Sequence, residues 1–366
     1  MIKDNLLNVN KMRGAERSSV VTVAKGLGIV LMVLGHSGIP TGREFIYMFH
    51  MPLFFILAGY CFNPNHLLDF KGFAFRRIKN LYIPFVKYGL IFLLLHNFFY
   101  NINIYNGLYG YYDKVSHLYS IIETVKYSIL TLSFSRSEQL LGGYWFLPQL
   151  FYASIIGWCV IKAFNTRPWL GLFVTLLISV ALNIYGIHIP GISIYWLSLY
   201  ATAFFVTGYL LKGKEIKGLL VLLICLAIVI VGQFFWSTEI LYCSPVKQIP
   251  YYISGISGTI MVIIVSRWIV ALNNIISAIC IFIGEHTFEI LTWHFLSFKL
   301  VHLFAIKIEH LPTEMLAMFP TLENTNWAYW WIIYAIVGIT VPCIIVLAKK
   351  YMVKFFLNLK LTVSKN

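Results

Sequence analysis

Charged residues are scarce in this chain. Asp, Glu, Lys and Arg together account for 11% of its 366 residues, whereas soluble domains average about 25%. Hydrophobic residues reach 59%, and the mean hydropathy is +0.78. This composition excludes an ordinary soluble domain and indicates a polytopic membrane protein.

Cysteine motifs, repeats and a cleavage site are also missing. None of the six cysteines has a metal-ligand spacing such as Cys-x-x-Cys, so we interpret them as small hydrophobic residues and predict no metal site. No low-complexity region or internal repeat is evident. The first 19 residues are polar and basic, and the apolar segment after them has no small-residue cleavage pattern. This predicts a retained anchor helix.

The chain is rich in long apolar segments. Segments of about 20 apolar residues mark membrane spans. They predict an all-α bundle of about ten transmembrane helices, near residues 20–38, 45–62, 81–100, 143–163, 168–187, 192–211, 218–236, 250–271, 275–305 and 327–348.

The distribution of basic residues predicts the orientation of these spans. An even number of spans puts both termini on one side, and the loops on that side hold 19 Lys and Arg residues against 7 on the other. The positive-inside rule therefore predicts a cytoplasmic N-terminal tail (1–19), a transmembrane domain (20–348) and a basic cytoplasmic C-terminal tail (349–366). Topology then accounts for most of the net charge of +14. No nucleic-acid partner is indicated, although the inner surface should attract anionic lipids or anionic cytosolic ligands.

Lys25 and His36 are two ionisable residues in the first apolar helix. Eleven residues make about 3.06 helical turns, so the two side chains share a face and lie roughly 16 Å apart along the axis. His50 follows after a short loop. An ionisable group at membrane depth costs about 2.5–3.5 kcal/mol and is a functional candidate by default. The alternative is that Lys25 snorkels to the headgroups and His36 only ends the helix at the outer interface.

Two loops carry further candidates. The predicted inner loop 63–80 contains Arg76, Arg77 and Lys79, which are either topological anchors or a site for the phosphates of a nucleotide cofactor. The predicted outer segment 101–142 is rich in Tyr, Asn and Ser. Its aromatic residues suit an interfacial belt, and they also suit stacking against sugars.

The ninth span is unusually polar for a membrane segment. We predict that Glu285 and His286 lie at the cytoplasmic edge, at a break after Gly284, and that His294 lies deeper and is the better interior candidate. The polar cluster comprises Glu285, His286, Glu289, Thr292, Trp293 and His294.

Five sequence runs carry a resemblance to a known family: AKGLGIVLMVLGH, FHMPLFFILAGY, FRRIKNLYIPF, YWFLPQLFY and GEHTFEILTWH. In these runs the chain resembles the acyltransferase family 3 membrane proteins over essentially its whole length. The closest branch is that of fucose 4-O-acetylase-like or exopolysaccharide O-acetyltransferases. The resemblance implies ten membrane helices that transfer an acyl group, usually acetyl from cytosolic acetyl-CoA, to a sugar hydroxyl at or beyond the outer face.

The family motifs map onto particular residues. The first-helix motif, a basic residue and a histidine with ten residues between, falls on Lys25 and His36. The family's Arg-x-x-Arg pair falls on Arg76 and Lys79, where the second guanidinium is replaced. Span nine departs from the family because Glu285 and His286 stand where uncharged residues are more common, whereas His294 fits the histidine that closes that motif.

The chemistry of acyl transfer gives these residues expected roles. An alcohol that attacks a thioester needs a base near neutral pKa, and the developing oxyanion needs a donor or cation. We predict His36, Lys25, His50 and His294 as catalytic, with His36 as the base and an acyl-histidine intermediate as an alternative route. Arg76, Arg77, Lys79 and Lys25 are predicted to bind acetyl-CoA, and Tyr144, Trp145 and Glu44 to bind the acceptor.

Other classes of membrane protein stay open at this point. A secondary transporter also places ionisable groups at mid-membrane, usually with repeat symmetry and paired broken helices. A lipid or glycan flippase, a polymerase or a ligand sensor would also suit the composition, and release of free CoA thiol would separate the enzyme from all of these. The predicted partners of the enzyme are acyl-CoA, a glycan or lipid-linked sugar and membrane lipids in a bacterial cytoplasmic membrane, with a homo-oligomer left open.

Overall fold

The computed structural model describes residues 2–110, 115–189, 193–323 and 325–363, and it describes side chains for all of these except 2–17, 353–354 and 356–363. Helices make up most of the described chain. In chain order they are α1 (Ile2–His36), α2 (Arg43–Tyr47), α3 (His50–Tyr60), α4 (Phe70–Arg77), α5 (Ile83–Leu94), α6 (His96–Asn101), α7 (Ile121–Leu132), α8 (Phe146–Ala163), α9 (Pro168–Ile184), α10 (Trp196–Leu211), α11 (Leu219–Trp236), α12 (Pro245–Leu272), α13 (Ile275–Glu285), α14 (Thr287–Glu309) and α15 (Trp330–Val363).

Shorter elements connect these helices. An antiparallel pair of two-residue strands, β1 (His188–Ile189) and β2 (Ile194–Tyr195), precedes α10. Short 3₁₀-helical segments occur at Pro64–Leu67, Gln139–Trp145, Ile240–Tyr242 and Thr313–Ala317, and a π-helix spans Ile78–Tyr82.

The lengths and composition of the helices confirm an all-α, multi-pass membrane protein. In the described residues, six helical stretches are long and apolar enough to cross a membrane: Ser18–His36, Gln139–Ala163, Leu219–Trp236, Pro245–Leu272, Thr287–Glu309 and Trp330–Met352. Pro168–Ile184, Trp196–Leu211 and Ile275–Glu285 are apolar but shorter. The count of about ten spans and the cytoplasmic location of both termini stay predictions.

Three of the predicted spans are interrupted. The span at 45–62 divides into α2 and α3, and the span at 81–100 consists of the end of the π-helix, α5 and α6. The span at 275–305 divides at His286, whose φ of −117° and ψ of 27° are not helical. The predicted break after Gly284 is therefore confirmed to within two residues. Apolar composition predicts depth in the membrane, but it does not predict whether the helix is continuous.

Helix α1 crosses α13 at very close range. A Cβ atom built on Gly284 would lie 1.9 Å from the carbonyl oxygen of Thr22, and one built on Gly26 would lie 2.4 Å from that of Cys280. Without a hydrophobic driving force between helices in lipid, small residues let the backbones approach and pack. This crossing sets the position of the α1 turn that carries Lys25.

Helices α3 and α10 pack in the same way. A Cβ atom on Gly59 would lie 1.7 Å from the carbonyl oxygen of Phe205, and one on Gly208 would lie 1.9 Å from that of Ile56. These contacts bury the C-terminal half of α3, the helix that begins at His50. The two crossings together hold α1 and α3, the helices that carry the first candidate residues.

Candidate functional site

One cavity of about 350 Å³ lies beside Lys25, and we call it the Lys25 cavity. Its walls are mostly apolar and include Phe54, Leu57, Phe146, Leu150 and Phe288. The polar side chains in its lining are those of Lys25, Cys61, Arg77, Asn80 and Thr287.

A second cavity of about 390 Å³ lies beside His36, and we call it the His36 cavity. It is far richer in polar groups than the Lys25 cavity. Side chains with polar atoms in its lining are those of His36, Arg43, Tyr47, His50, Ser137, Glu138, Gln139, Trp145, Glu239 and Tyr242.

The two cavities meet at three apolar side chains. Met32, Met51 and Leu291 belong to the lining of both. In α1, Met32 precedes His36 by four residues and follows Lys25 by seven, so all three lie along one face. Lys25 and His36 therefore face the protein interior, in two cavities that share a wall.

His36 lies among aromatic rings. Its ring centroid is 5.1 Å from that of Phe295, 5.8 Å from that of His294 in a stacked arrangement, and 6.1 Å from that of Tyr47. Its Nδ1 atom lies 3.3 Å from the Tyr47 hydroxyl oxygen. The structure thus brings together His36 and His294, which the sequence separates by more than 250 residues.

The protonation sites of the neighbouring histidines follow from their hydrogen bonds. His50 Nδ1 lies 3.0 Å from the carbonyl oxygen of Ile46, and His294 Nδ1 lies 3.0 Å from that of Ile290. A carbonyl oxygen can only accept, so in both residues Nδ1 carries the hydrogen and a neutral imidazole keeps its lone pair on Nε2. His294 Nε2 is buried and has no hydrogen-bond partner in the described part of the chain.

Of the three residues predicted to bind the acceptor, only one lines a cavity in the structure. Trp145 lines the His36 cavity. Tyr144 is fully buried, and its hydroxyl group lies 2.8 Å from Thr292 Oγ1, so it supports α14 and does not belong to the lining of either cavity. Glu44 is exposed in α2, also outside both linings.

The three basic residues Arg76, Arg77 and Lys79 also lie in different surroundings. Arg77 is half-buried, lines the Lys25 cavity and stacks its guanidinium 5.0 Å from the Phe73 ring centroid. Arg76 and Lys79 are exposed and do not belong to that lining. The π-helix that begins at Ile78 makes a wider turn than an α-helix, so the three-residue spacing of Arg76 and Lys79 does not by itself place them on one helix face.

Glu285 and His286 lie at the junction of α13 and α14. Glu285 is exposed. His286 is buried; its Nδ1–H donates to the carbonyl oxygen of Phe282 at 2.7 Å, and its Nε2 accepts from Lys350 Nζ at 2.9 Å. These bonds tie the helix break to α15, which is a structural role.

Two carboxylates in the lining of the His36 cavity, those of Glu239 and Glu138, were not predicted from the sequence. Glu239 Oε1 accepts from Arg43 Nη2 at 3.2 Å, and burial raises the pKa of Glu239 although Arg43 opposes the shift. Glu138 is buried, and its Oε2 lies 3.0 Å from His96 Nδ1. The chain has only 14 acidic residues, so this scarcity was a signal that each one in apolar surroundings needed a partner.

Comparison with known proteins gives the family. A family model described as an acyltransferase domain matches residues 20–349. No curated protein and no solved structure matches the chain. The matched region contains both cavities and all but the terminal parts of the chain. The protein belongs to the acyltransferase family 3 of membrane acyltransferases.

Proposed function

We propose that this acyltransferase moves an acetyl group from cytosolic acetyl-CoA to a sugar hydroxyl of a surface or exported glycan. One observation carries the proposal. A single helix presents a cation to one cavity and an imidazole to another, and the two cavities share Met32, Met51 and Leu291. This arrangement suits an enzyme that receives donor and acceptor from opposite ends of a membrane bundle.

The Lys25 cavity suits the donor. Its apolar walls fit an extended thioester arm, and Lys25 and Arg77 supply positive charge for the anionic end of the molecule. The exposed Arg76 and Lys79 lie beside Arg77 in sequence and are proposed to contact the CoA phosphates. The roughly 16 Å between Lys25 and His36 exceeds the reach of one side chain, so Lys25 binds the donor and does not contact the reacting carbonyl.

The His36 cavity suits the acceptor and the chemical step. His36 takes the proton of the sugar hydroxyl as its oxygen attacks the thioester carbonyl. A C–O bond forms, the C–S bond breaks, and the CoA thiolate leaves and regains the proton from the imidazolium. Trp145 offers an aromatic face for the sugar ring, and His50 and His294 surround the base.

The resemblance to the fucose 4-O-acetylase-like and exopolysaccharide branch supports a sugar acceptor. With the excess of basic residues in the predicted inner loops, it also supports ten spans, cytoplasmic termini and a bacterial cytoplasmic membrane. The proposed partners are acetyl-CoA, a glycan or lipid-linked sugar, and anionic lipids at the basic face.

Replacing His36 tests the proposal. In membranes supplied with acetyl-CoA and acceptor, His36→Ala should slow the release of CoA thiol about 10²- to 10⁴-fold at equal protein level, because a general base contributes rate enhancements of that order. In cells whose surface glycan is acetylated by this protein, the acetyl signal in glycan NMR should fall as well. His188→Ala removes an exposed histidine of β1 and is the matched control. Full acetylation by the His36 variant would remove His36 from the chemistry.

A transporter is the second candidate, and the helix break between α2 and α3, just before His50, favours it. Broken helices at mid-membrane are a feature of transporters. Mixing membranes that contain the protein with acetyl-CoA and the glycan acceptor separates the candidates. An enzyme releases free CoA thiol in proportion to acetyl transferred, and a transporter releases none.

A further inference from the structure

Tyr47 contacts both of the last two residues of α1. The chain turns back after His36 and forms α2, whose last residue is Tyr47. The buried Tyr47 hydroxyl oxygen lies 3.0 Å from the carbonyl oxygen of Gly35 and 3.3 Å from His36 Nδ1. The carbonyl of Gly35 is in the last helical turn, where it has no partner within the helix. Tyr47 therefore caps α1 and touches His36 with the same atom.

These two contacts determine where the hydrogens lie. A phenol has one hydrogen, and the Gly35 carbonyl can only accept, so Tyr47 donates that hydrogen to Gly35. Its oxygen must then accept from His36, which requires a hydrogen on Nδ1. A neutral His36 consequently keeps its lone pair on Nε2, the form that can take a proton there.

Four other buried histidines obtain the same tautomer from backbone carbonyl groups. In each, Nδ1 lies within 3.0 Å of the carbonyl oxygen four residues earlier in the chain: His50 with Ile46, His286 with Phe282, His294 with Ile290 and His302 with Phe298. His36 Nδ1 is instead held by a side chain from another element. Its tautomer thus depends on a hydroxyl group outside α1, which a side-chain substitution can remove.

The surroundings hold Tyr47 in place. A Cβ atom on Gly35 would lie 2.5 Å from Tyr47 Cε1, so only glycine at that position lets the ring close over the helix end. The Arg43 guanidinium lies 4.9 Å from the ring centroid and is paired with Glu239. The Tyr251 hydroxyl donates to the backbone carbonyl of Tyr47 at 2.9 Å.

We infer that Tyr47 is a positioning residue that fixes the Nδ1–H tautomer of His36 and so presents Nε2 as the base. The catalytic consequence depends on the proposed function, whereas the tautomer itself does not. Each can therefore be tested by a separate measurement.

The test is Tyr47→Phe, which removes one oxygen atom. Nitrogen NMR of histidine-labelled protein, with the His36 signal assigned by its absence in His36→Asn, should show a pyridine-type Nε2 in the wild type. In Tyr47→Phe it should show a mixture of both tautomers. With acetyl-CoA as donor, kcat should fall about tenfold, the effect of one hydrogen bond. The KM for acetyl-CoA should stay within about twofold, because Tyr47 does not belong to the lining of the Lys25 cavity.

Two further variants keep the inference falsifiable. Gly35→Ala should displace the ring and produce the same mixed tautomer by an independent route. Tyr82→Phe deletes a hydroxyl that donates to the Leu132 carbonyl at 2.9 Å, and Tyr82 does not belong to the lining of either cavity. This variant should change neither the His36 tautomer nor kcat. An unchanged His36 tautomer in Tyr47→Phe would overturn the inference. A changed tautomer in a protein that releases no thiol even as wild type would support the inference and overturn the proposed function.

Discussion

Gly284→Ala should displace α1 from α13 and impair both stability and activity. The added Cβ atom would lie 1.9 Å from the Thr22 carbonyl oxygen, and real Cβ contacts essentially never fall below 3.0 Å. The two backbones must therefore separate by at least about 1.1 Å, since a carbonyl group cannot rotate away as a side chain can. Overpacking of this kind costs about 1–3 kcal/mol, partly offset by about 1 kcal/mol of helix propensity gained on replacing glycine.

The displacement also reaches the site. Lys25 lies one turn after Thr22, and a misplacement of about 1 Å can cost 10²-fold in rate. We expect a lower thermal midpoint in detergent and thiol release from acetyl-CoA reduced by up to about 100-fold. The matched control is Gly171→Ala in α9, where the nearest atoms belong to the side chains of Val160 and Phe164, which can move. If the Gly284 variant kept the wild-type thermal midpoint and the wild-type rate of thiol release, the close packing of α1 against α13 would be refuted.

Three further predictions concern the cavities. Leu291→Trp should fill the shared wall and lower thiol release about tenfold or more at normal expression; unchanged release would mean that the acyl group does not pass there. Arg77→Gln should raise the KM for acetyl-CoA about tenfold, and the double change of Arg76 and Lys79 to Gln should weaken binding mainly at low salt; unchanged calorimetric affinity would return that pair to topological anchors. Because burial raises the pKa of Glu239, folding favours its protonated form, and this stabilisation is present below the unfolded pKa and lost as pH rises through the folded value. Glu239→Gln should therefore match the wild-type thermal midpoint near about pH 4 and exceed it near about pH 7; a lower midpoint at the higher pH would show that the ion pair with Arg43 dominates.

Much of the fold could be predicted from hydrophobicity alone. Apolar length identified each of the six described helical stretches that are long enough to cross a membrane, because lipid leaves a spanning backbone no partner except its own hydrogen bonds. The interruptions before His50 and at Ile78–Tyr82 could not be predicted in this way. Non-helical or wider backbone is tolerated at depth when protein surrounds it, and that protection comes from distant parts of the chain.

The candidate site, like the fold, could be predicted from the sequence only in part. The periodicity of one helix placed Lys25 and His36 on a common face, and both line cavities. Tyr144 and Trp145 are adjacent, and only the three-dimensional packing of Gln139–Trp145 decides that Trp145 faces the cavity while Tyr144 bonds Thr292. Sequence proximity could not distinguish them.

Tyr47 shows why the rest of the site could not be predicted from the sequence. It follows His36 by 11 residues, the same separation as that between Lys25 and His36. Within a continuous helix this separation fixes direction, because every residue turns by the same angle. Between His36 and Tyr47 the chain instead passes through Gly38 and Gly42, whose φ angles of 81° and 87° lie in the left-handed region that glycine adopts without strain. These two glycines reverse the chain, so that a tyrosine beyond the end of α1 returns to cap it, and the proton of His36 is placed by a turn and not by a helix.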